Sequence, residues 1–348
     1  MATMKSVTTG ARNEIEVVEV ERPVPGPKDA LVRIRACGIC GTDTFFVQMG
    51  GTPYNSPDGT VVPLPLGHEP AGEVVEVGAE VTDLKVGDRV VLDPQAAPSG
   101  IIGCGGSLGG MNEYLLIENA VPGESVAVFP DGLPFEVAAL NEPMAVARHA
   151  VNRSGAGPTD KVVVFGAGPI GLGATIWLKL RGVRHVVVAD VIPERLETAL
   201  AVGADAVIDS GAQNVTDRLT ELHGQAANAL GQPRPGTDVY IDAAGAPAVF
   251  QAVIDSAKWH AKLVMVAVQK KSDAIDLGGM LRSELTLIAS QGYPTEIFEV
   301  TAELAEHQDR FAKLISHRVP FGEVDRAFEL ALTPGAAEKV VVTFDDPA

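Results

Sequence analysis

Four side chains of this sequence could together bind a metal ion. They are the thiol of Cys40, within the stretch GICGTD at 38–43, the adjacent pair His68 and Glu69, and the carboxylate of Glu142. One thiolate, one imidazole and one or two carboxylates make a plausible ligand set for catalytic zinc, with a further position open for water or a substrate oxygen. Their spacing does not show that they meet, because a lone cysteine or His-Glu pair more often packs or lies in a solvated turn. On the pattern alone, both interpretations stay open.

A second stretch has the chemistry of phosphate binding. It follows the apolar run KVVVF, precedes a segment of helix length, and reads G-x-G-x-x-G. In this context the glycines allow a tight turn and the close approach of a pyrophosphate, while the start of the helix supplies N–H donors. The alternative is a glycine turn in a sheet that binds no nucleotide. We predict a dinucleotide site formed by Gly166, Gly168, Pro169, Ile170 and Gly171.

The next apolar strand ends in Asp190, 24 positions after Gly166. A carboxylate there would accept hydrogen bonds from the ribose hydroxyls of adenosine and would repel a 2′-phosphate, which favours NAD over NADP. Arg195, five residues further on, could weaken that discrimination.

Two kinds of structure must position these residues. The chain has 348 residues, of which 46% are hydrophobic, and this length suits two domains. Up to about residue 140, short β-rich runs separated by glycine and proline predict an antiparallel, barrel-like domain. After Pro158, apolar strands alternate with helix-length segments, which is typical of a parallel sheet covered on both faces. We expect a closing strand at 339–344 to return to the first domain.

Charge and cysteine content exclude several classes of function. The formal net charge of -18 argues against nucleic acid or an anionic membrane as a partner, and the sequence shows neither a signal-like segment nor a membrane span. We therefore expect a cytoplasmic protein.

Three cysteines, Cys37, Cys40 and Cys104, argue against a disulfide framework. We expect Cys37 to be a buried packing residue, although its spacing from Cys40 is C-x-x-C.

Six stretches in order resemble the zinc-dependent medium-chain alcohol dehydrogenases, most closely the branch of polyol (sorbitol-like), butanediol, threonine and glucose dehydrogenases. They are GICGTD, GHEPAGEVVEVG, LKVGDRV, GGMNEYLLI, LNEPMAVARHAV and VVVFGAGPIGLGA. The resemblance covers essentially the whole chain and implies an α/β fold of two domains. A GroES-like β-barrel catalytic domain would occupy 1–145 and 291–348, and a Rossmann domain with a doubly wound parallel sheet would occupy 146–290.

The resemblance also implies roles for the candidate metal ligands. Cys40 and His68 would hold one catalytic zinc together with a carboxylate from Glu69, Glu142 or both. Asp43 would accept the second ring N–H of His68 and so fix its tautomer.

The implied reaction is the transfer of a hydride from a secondary alcohol, diol, polyol or sugar to NAD, catalysed by an enzyme of EC 1.1.1 type. Thr42 would hydrogen-bond the substrate oxygen and pass on its proton. Val266 and Val268 would lie where the family's backbone meets the nicotinamide. Lys339 matches the position of a pyrophosphate-binding arginine, with a surface lysine as the alternative.

Three features depart from the family. The position where a histidine often ends the proton relay holds Phe45, which cannot carry a proton. The lobe near residues 93–112 offers Cys104 alone where many relatives have four cysteines, so we predict no structural zinc and a packing role or a weakly reactive free thiol for Cys104. The turn-rich segment 50–62 is a candidate lid over the substrate pocket.

Two other functions remain compatible with the sequence. One is a zinc-free quinone or enone reductase of the same fold, and the other is a dinucleotide-binding protein without catalysis. For partners we expect a small alcohol or ketone substrate and a homodimer or homotetramer, since the apolar strand at 285–289 could pair across a two-fold axis.

Overall fold

The computed structural model describes residues 2–52, 60–269 and 274–344. Contacts within the chain divide it into two units. The first comprises Met1–Glu142, Ile297–Gln308 and Ile315–Ala348, and the second comprises Pro143–Glu296 and Asp309–Leu314. The main divisions between the two units fall after residues 142 and 296, whereas the sequence-based domain limits fall after residues 145 and 290. The domain limits stay a prediction.

Seventeen strands and eleven α-helices are found among the described residues. Up to residue 154 they are β1 Thr3–Thr9, β2 Ile15–Glu21, β3 Ala30–Gly38, α1 Gly41–Met49, β4 Glu69–Val77, β5 Arg89–Leu92, β6 Tyr114–Ile117, β7 Val126–Val128, α2 Phe135–Ala138 and α3 Asn141–Ser154. From residue 161 they are β8 Lys161–Phe165, α4 Pro169–Leu180, β9 His185–Asp190, α5 Pro193–Ala201, β10 Ala206–Asp209, α6 Val215–His223, β11 Gln225–Ala227, β12 Pro233–Pro235, β13 Val239–Asp242, α7 Pro247–Ser256, β14 Lys262–Met265, α8 Leu277–Ser283 and β15 Thr286–Ala289. The last elements are α9 Glu296–Glu306, α10 Gln308–Phe311, β16 His317–Pro320, α11 Val324–Leu332 and β17 Val340–Thr343, with 3-10 turns at Ala312–Leu314 and Phe321–Glu323.

The first unit is built on a seven-stranded sheet with the order β16-β17-β3-β4-β5-β7, in which β6 also pairs with β3. All of its pairings are antiparallel except that between β16 and β17. The central strand β3 is buried except at Arg33 and Arg35, which are half-buried, as expected for a strand with neighbours on both edges. Its last residue, Gly38, pairs with Glu69 at the start of β4 and with Val341 in β17. Three strands therefore place their ends at one point of the sheet.

The second unit contains a six-stranded parallel sheet with the order β10-β9-β8-β13-β14-β15. Counted along the chain, this is the order 3-2-1-4-5-6 of doubly wound dinucleotide-binding sheets, and it confirms the predicted parallel sheet. The glycine-rich stretch follows β8, the strand at which the order reverses. In folds of this type, ligands bind beyond the carboxyl ends of the strands at that reversal.

Several details differ from the sequence-based expectation. The strand expected at 262–268 ends at Met265, because the neighbouring strand β13 ends at Asp242, whose carbonyl accepts the N–H groups of both Val266 and Ala267. The ribbon of β11 and β12 and the strand β16 were not predicted. The closing strand was predicted correctly, since β17 pairs with β3.

No helix in the described part of the chain is long and apolar enough to cross a membrane. The cytoplasmic location stays a prediction.

Candidate functional site

Three of the predicted metal ligands meet in the first unit. A ligand atom from each of Cys40, His68 and Glu69 lies within 4.8 Å of the other two. Cys40 follows the end of β3, while His68 and Glu69 stand at the start of β4. Because the register pairs Gly38 with Glu69, the two chain segments must bring these side chains together.

The donor set fits a zinc ion. His68 and Glu69 are buried and Cys40 is half-buried, and the Oε1 atom of Glu69 is buried without a hydrogen-bond partner among the described residues. A buried carboxylate oxygen without a partner is costly unless a cation or a donor reaches it. A Cβ added to Gly38 would lie 1.9 Å from Oε2 of Glu69, so only glycine leaves room for this carboxylate. Sulfur, nitrogen and oxygen donors in this number are the usual protein ligands of catalytic zinc.

The start of α1 positions Cys40. This residue is the N-cap of the helix, and its backbone N–H donates to Oδ2 of Asp43 at 2.8 Å. The sulfur therefore lies at the helix N-terminus, where the free N–H groups carry a partial positive charge.

Asp43 and Cys104 both approach the imidazole of His68. Oδ1 of Asp43 accepts the N–H of Gly67 at 3.0 Å and lies 3.5 Å from Nδ1 of His68, while the Cys104 sulfur lies 3.4 Å from the same nitrogen. With Nδ1 engaged on this side, Nε2 is left to face an ion. Burial alone would lower the pKa of His68, but Asp43 and Cys40 raise it well above its usual value. The surroundings of the ring thus favour a positive charge, which a cation would supply.

Lys339 lies beside Glu69 in this structure, and its binding of a pyrophosphate stays a prediction. Its ammonium group is buried, donates to the carbonyl of Ile39 at 3.0 Å and forms an ion pair with Glu69. Burial alone would lower the pKa of Lys339, but Glu69 and then Cys40 raise it. The lysine therefore lies next to the candidate metal ligands and is buried, so the alternative of a surface lysine does not hold.

Glu142 is not part of the three-residue cluster found among the described residues. It is half-buried in the first turn of α3, and its charge contributes to the raised pKa of Lys339. The structure thus brings Glu69 to the other ligands and leaves Glu142 within electrostatic reach. The choice between these two carboxylates as direct ligands stays a prediction.

Thr42 and Phe45 lie on α1 beside the cluster. The hydroxyl oxygen of Thr42 is 3.8 Å from the sulfur of Cys40, so it stands next to the candidate ion position. Phe45 is half-buried and packs against the hydrophobic core of the unit, with its ring centroid 5.8 Å from that of Phe46. Cys37 is fully buried in the same core, as expected of a packing residue.

Only the two ends of the candidate lid at 50–62 can be described. Thr52 and Val62 exchange backbone hydrogen bonds of 3.0 and 3.1 Å, which ties the ends together. Residues 53–59 lie outside the described residues.

The glycine-rich stretch forms the turn between β8 and α4 in the second unit. Gly168 is the N-cap of α4, and Pro169 and Ile170 begin the helix. A Cβ on Gly171 would lie 1.8 Å from the carbonyl oxygen of Gly166, so the helix can approach the strand this closely only with glycine there. This geometry presents free N–H groups at the end of the sheet, as a pyrophosphate requires.

Asp190 is tied to this turn. Its Oδ2 accepts the N–H of Ala167 at 2.6 Å and its Oδ1 accepts the N–H of Ile192 at 2.9 Å. The structure thus brings the strand-end carboxylate and the glycine turn together. Arg195 is half-buried in the first turn of α5, and its role toward a coenzyme stays a prediction.

Val266 and Val268 follow the carboxyl end of β14. Val266 is half-buried and Val268 is exposed, and a Cβ on Gly245 would lie 2.9 Å from the carbonyl oxygen of Val268. Two neighbouring loops therefore approach each other here, and contact with a nicotinamide stays a prediction.

The sequence did not indicate that Cys104 and Lys339 contact the candidate metal ligands. Neither residue lies in a motif with the other ligands, and both reach His68 or Glu69 through contacts far apart in sequence. The one signal available was the match of Lys339 to a basic position of the family.

Two family models match the chain. Residues 26–125 match the alcohol dehydrogenase GroES-like domain, and residues 169–307 match the zinc-binding dehydrogenase model.

Whole-length relatives are also found. The chain is 30% identical to the (R,R)-butanediol dehydrogenase of Bacillus subtilis (strain 168), over 97% of this chain and 99% of that protein. It is 30% identical to an L-threonine 3-dehydrogenase of Yersinia pestis (strain Pestoides F), over 96% of this chain and 98% of that protein. A solved structure from Sinorhizobium meliloti 1021, described as a zinc-binding dehydrogenase bound to NADP, is similar with a TM-score of 0.81, 29% identity and coverage of 99% and 100% of the two chains.

Proposed function

Because this chain belongs to the zinc-dependent medium-chain alcohol dehydrogenase family, we propose that it oxidises a secondary alcohol, diol, polyol or sugar with NAD as the hydride acceptor. The observation that carries the proposal is the cluster of Cys40, His68 and Glu69, in which one buried carboxylate oxygen has no partner within the described part of the chain. The substrate class is supported by the relatives, which act on a vicinal diol in one case and on threonine in the other.

When bound, zinc supplies a Lewis acid that lowers the pKa of an alcohol oxygen, and the nicotinamide coenzyme supplies the hydride acceptor. Cys40, His68 and Glu69 would hold the ion, with Asp43 and Cys104 beside His68. The hydroxyl of Thr42, 3.8 Å from the Cys40 sulfur, would accept a hydrogen bond from the alcohol and pass its proton to water. Phe45 packs into the core and takes no part in that transfer.

We propose one zinc per chain and a preference for NAD over NADP. The three cysteines are divided between the catalytic cluster, its surroundings and the core, so no set of thiols is left for a closed structural site. The coenzyme preference rests on Asp190, whose carboxylate at the end of β9 would repel a 2′-phosphate. The similar protein from Sinorhizobium meliloti was crystallised with NADP, so both coenzymes must be assayed.

We also propose that the protein is a homodimer or a tetramer built from such dimers. β15 is an edge strand of the parallel sheet, and Leu277 and Leu281 on the preceding helix are 71% and 77% exposed. An unpaired strand edge next to exposed apolar side chains is typical of a contact between subunits. Sedimentation should give a dimer or tetramer that Leu281→Asp weakens, and a monomeric wild type would contradict the proposal.

The substrate class can be tested with a panel of secondary alcohols, vicinal diols, polyols, sugars and threonine, each assayed by the absorbance of NADH. We expect turnover with at least one class, abolished by a strong zinc chelator. Metal-independent reduction of enones with NADPH would instead indicate a zinc-free reductase. NADH binding without turnover on any substrate would indicate a non-catalytic protein.

A further inference from the structure

Cys104 contacts a metal ligand, although the family resemblance gives it no role. Its sulfur lies 3.4 Å from Nδ1 of His68, and the residue is half-buried in a glycine-rich lobe spanning residues 100–110. A half-buried thiol next to an imidazole can accept a hydrogen bond from the ring.

The lobe docks its backbone on the segment that carries His68. The N–H of Gly110 donates to the carbonyl of Gly67 at 2.7 Å, and the N–H of Met111 donates to the carbonyl of Leu66 at 3.0 Å. Gly103 adopts a φ of +67°, and a Cβ there would lie 2.1 Å from the carbonyl oxygen of Gly67. Only glycine allows this approach, and the next residue in the chain is Cys104.

Hydrogen bonds within the lobe fix the turn that contains the thiol. The N–H of Gly103 donates to Leu108 at 2.8 Å, and the N–H groups of Cys104 and Gly106 donate to Ile101 at 3.1 and 2.9 Å. Cys104 also packs against the core of the first unit. The position of the sulfur beside the ring therefore follows from several backbone contacts.

The sulfur competes well with Asp43 for the ring N–H. Oδ1 of Asp43 accepts from Gly67 at 3.0 Å and Oδ2 accepts from Cys40 at 2.8 Å, so each oxygen already accepts one backbone donor and has one acceptor position left. The 3.5 Å from Oδ1 to Nδ1 exceeds the roughly 2.9 Å of an ordinary N–H···O hydrogen bond. The distance of 3.4 Å to sulfur is favourable by comparison, since sulfur is the larger atom.

We propose that the sulfur of Cys104 accepts the Nδ1–H of His68 and thereby orients the imidazole with Nε2 toward the metal position. The inference rests on the proposed zinc site. Cys104 is then a positioning residue and not a ligand, consistent with its exclusion from the cluster of Cys40, His68 and Glu69. Acceptors of this kind fix the tautomer of a metal-binding histidine.

The test compares Cys104→Val with Cys104→Ser by zinc competition against a chromogenic chelator. Valine fills a similar volume without an acceptor, so we expect zinc affinity to fall about 10-fold or more, the range seen for partners of this kind. Serine keeps an acceptor and should stay within about 3-fold of wild type. Equal zinc affinity in the valine variant and wild type would overturn the proposal.

Cobalt substitution separates positioning from direct ligation. With Cys40 as the one thiolate ligand, the sulfur-to-cobalt absorption should keep its intensity in both variants, and a drop by about half would overturn the proposal in favour of a second thiolate ligand. Ile102→Ala loosens the same lobe without removing the thiol and so controls for a folding effect. It should lower zinc affinity less than Cys104→Val does. An equal loss of zinc affinity in the two variants would contradict the positioning role of Cys104. A wild-type protein that binds no zinc overturns the proposed function as well, whereas the other outcomes bear on Cys104 alone.

Discussion

Lys339 and Glu69 form a buried ion pair within the candidate metal centre, with 2% and 1% of their side chains exposed. One carboxylate oxygen of Glu69 accepts from the lysine, and the other has no hydrogen-bond partner in the residues that the structure describes. The lysine thus neutralises a buried ligand and leaves one oxygen for an ion. A bound zinc ion would also help to neutralise the Glu69 carboxylate.

Replacing Lys339 by methionine should destabilise the metal-free protein by about 3 kcal/mol, because removing one partner leaves the charge of Glu69 buried and unpaired. The loss should be smaller with zinc bound, since the ion compensates the same carboxylate. Urea unfolding of the first unit with and without zinc measures both values. Lys85→Met is the control, because that lysine is 84% exposed and its surface pair with Asp88 should contribute little to stability. If Lys339→Met lowers the free energy of unfolding equally with and without zinc, the ion does not help to neutralise Glu69.

Thr42→Val should lower kcat/KM for the alcohol by about 100-fold or more, the usual cost of losing a group that transfers a proton. Thr42→Ser keeps a hydroxyl and should retain most of the activity. Thr44→Val, on the same helix, removes a hydroxyl that donates to the carbonyl of Gly41 and should leave the rate nearly unchanged. Zinc content must be equal in all three variants, and a Thr42→Val enzyme with wild-type turnover would exclude this residue from proton transfer.

Asp190→Asn should reduce the preference for NAD over NADP by about 10-fold, or roughly 1.4 kcal/mol, because a charged acceptor becomes a neutral one and the repulsion of a 2′-phosphate disappears. The asparagine oxygen can still accept one of the two loop N–H groups that Asp190 holds. Asp209→Asn, at the end of the neighbouring strand β10, is the matched control. The ratio of kcat/KM for the two coenzymes gives the result, and an unchanged ratio in Asp190→Asn would remove Asp190 as the determinant.

His223 should make the second unit sensitive to acid. Burial, reinforced by the charges of His185 and Lys161, lowers the pKa of His223 to about 4. The unfolded chain, with a pKa near 6.5, binds the proton first, so stability is complete above about pH 6.5 and is lost as the pH falls toward 4, by up to about 3 kcal/mol.

His223→Asn keeps an acceptor for Thr237, which lies 2.8 Å from Nδ1 of the histidine, and should remove this share of the pH dependence. His260→Asn is the control, because His260 is a surface residue. The change in melting temperature between pH 7 and pH 5 should be smaller in His223→Asn than in wild type, and it should stay at wild-type size in His260→Asn. A pH dependence that stays at wild-type size in His223→Asn would assign the effect to other groups.

The fold was largely predictable because both halves have strong periodic signals. KVVVF and HVVVAD each contain a continuous apolar run, as strands buried on both faces must, and the glycine turn after the first of them has the spacing of a dinucleotide-binding turn. The limits of strands were less predictable, since β14 ends where the backbone of Val266 turns to Asp242. The position at which β14 ends therefore depends on the neighbouring strand rather than on local sequence.

The site was predictable only where a motif exists. Cys40 and the His68-Glu69 pair stand in stretches with a family pattern, and the pairing of β3 with β4 explains why they meet. Lys339 reaches Glu69 because β17 pairs with the end of β3, and Cys104 reaches His68 because Gly103 takes a positive φ. Both contacts depend on tertiary structure that the spacing of residues does not encode.

The most direct test of the account is the zinc content and alcohol turnover of Cys40→Ser beside wild type and Cys37→Ala. We predict about one zinc per chain in the wild type and in Cys37→Ala, in which only a core residue changes. Cys40→Ser should lose the zinc and the oxidation of every alcohol that the wild type accepts, while it still binds NADH. Alcohol oxidation by Cys40→Ser at the wild-type rate would contradict the assignment of Cys40 as a zinc ligand.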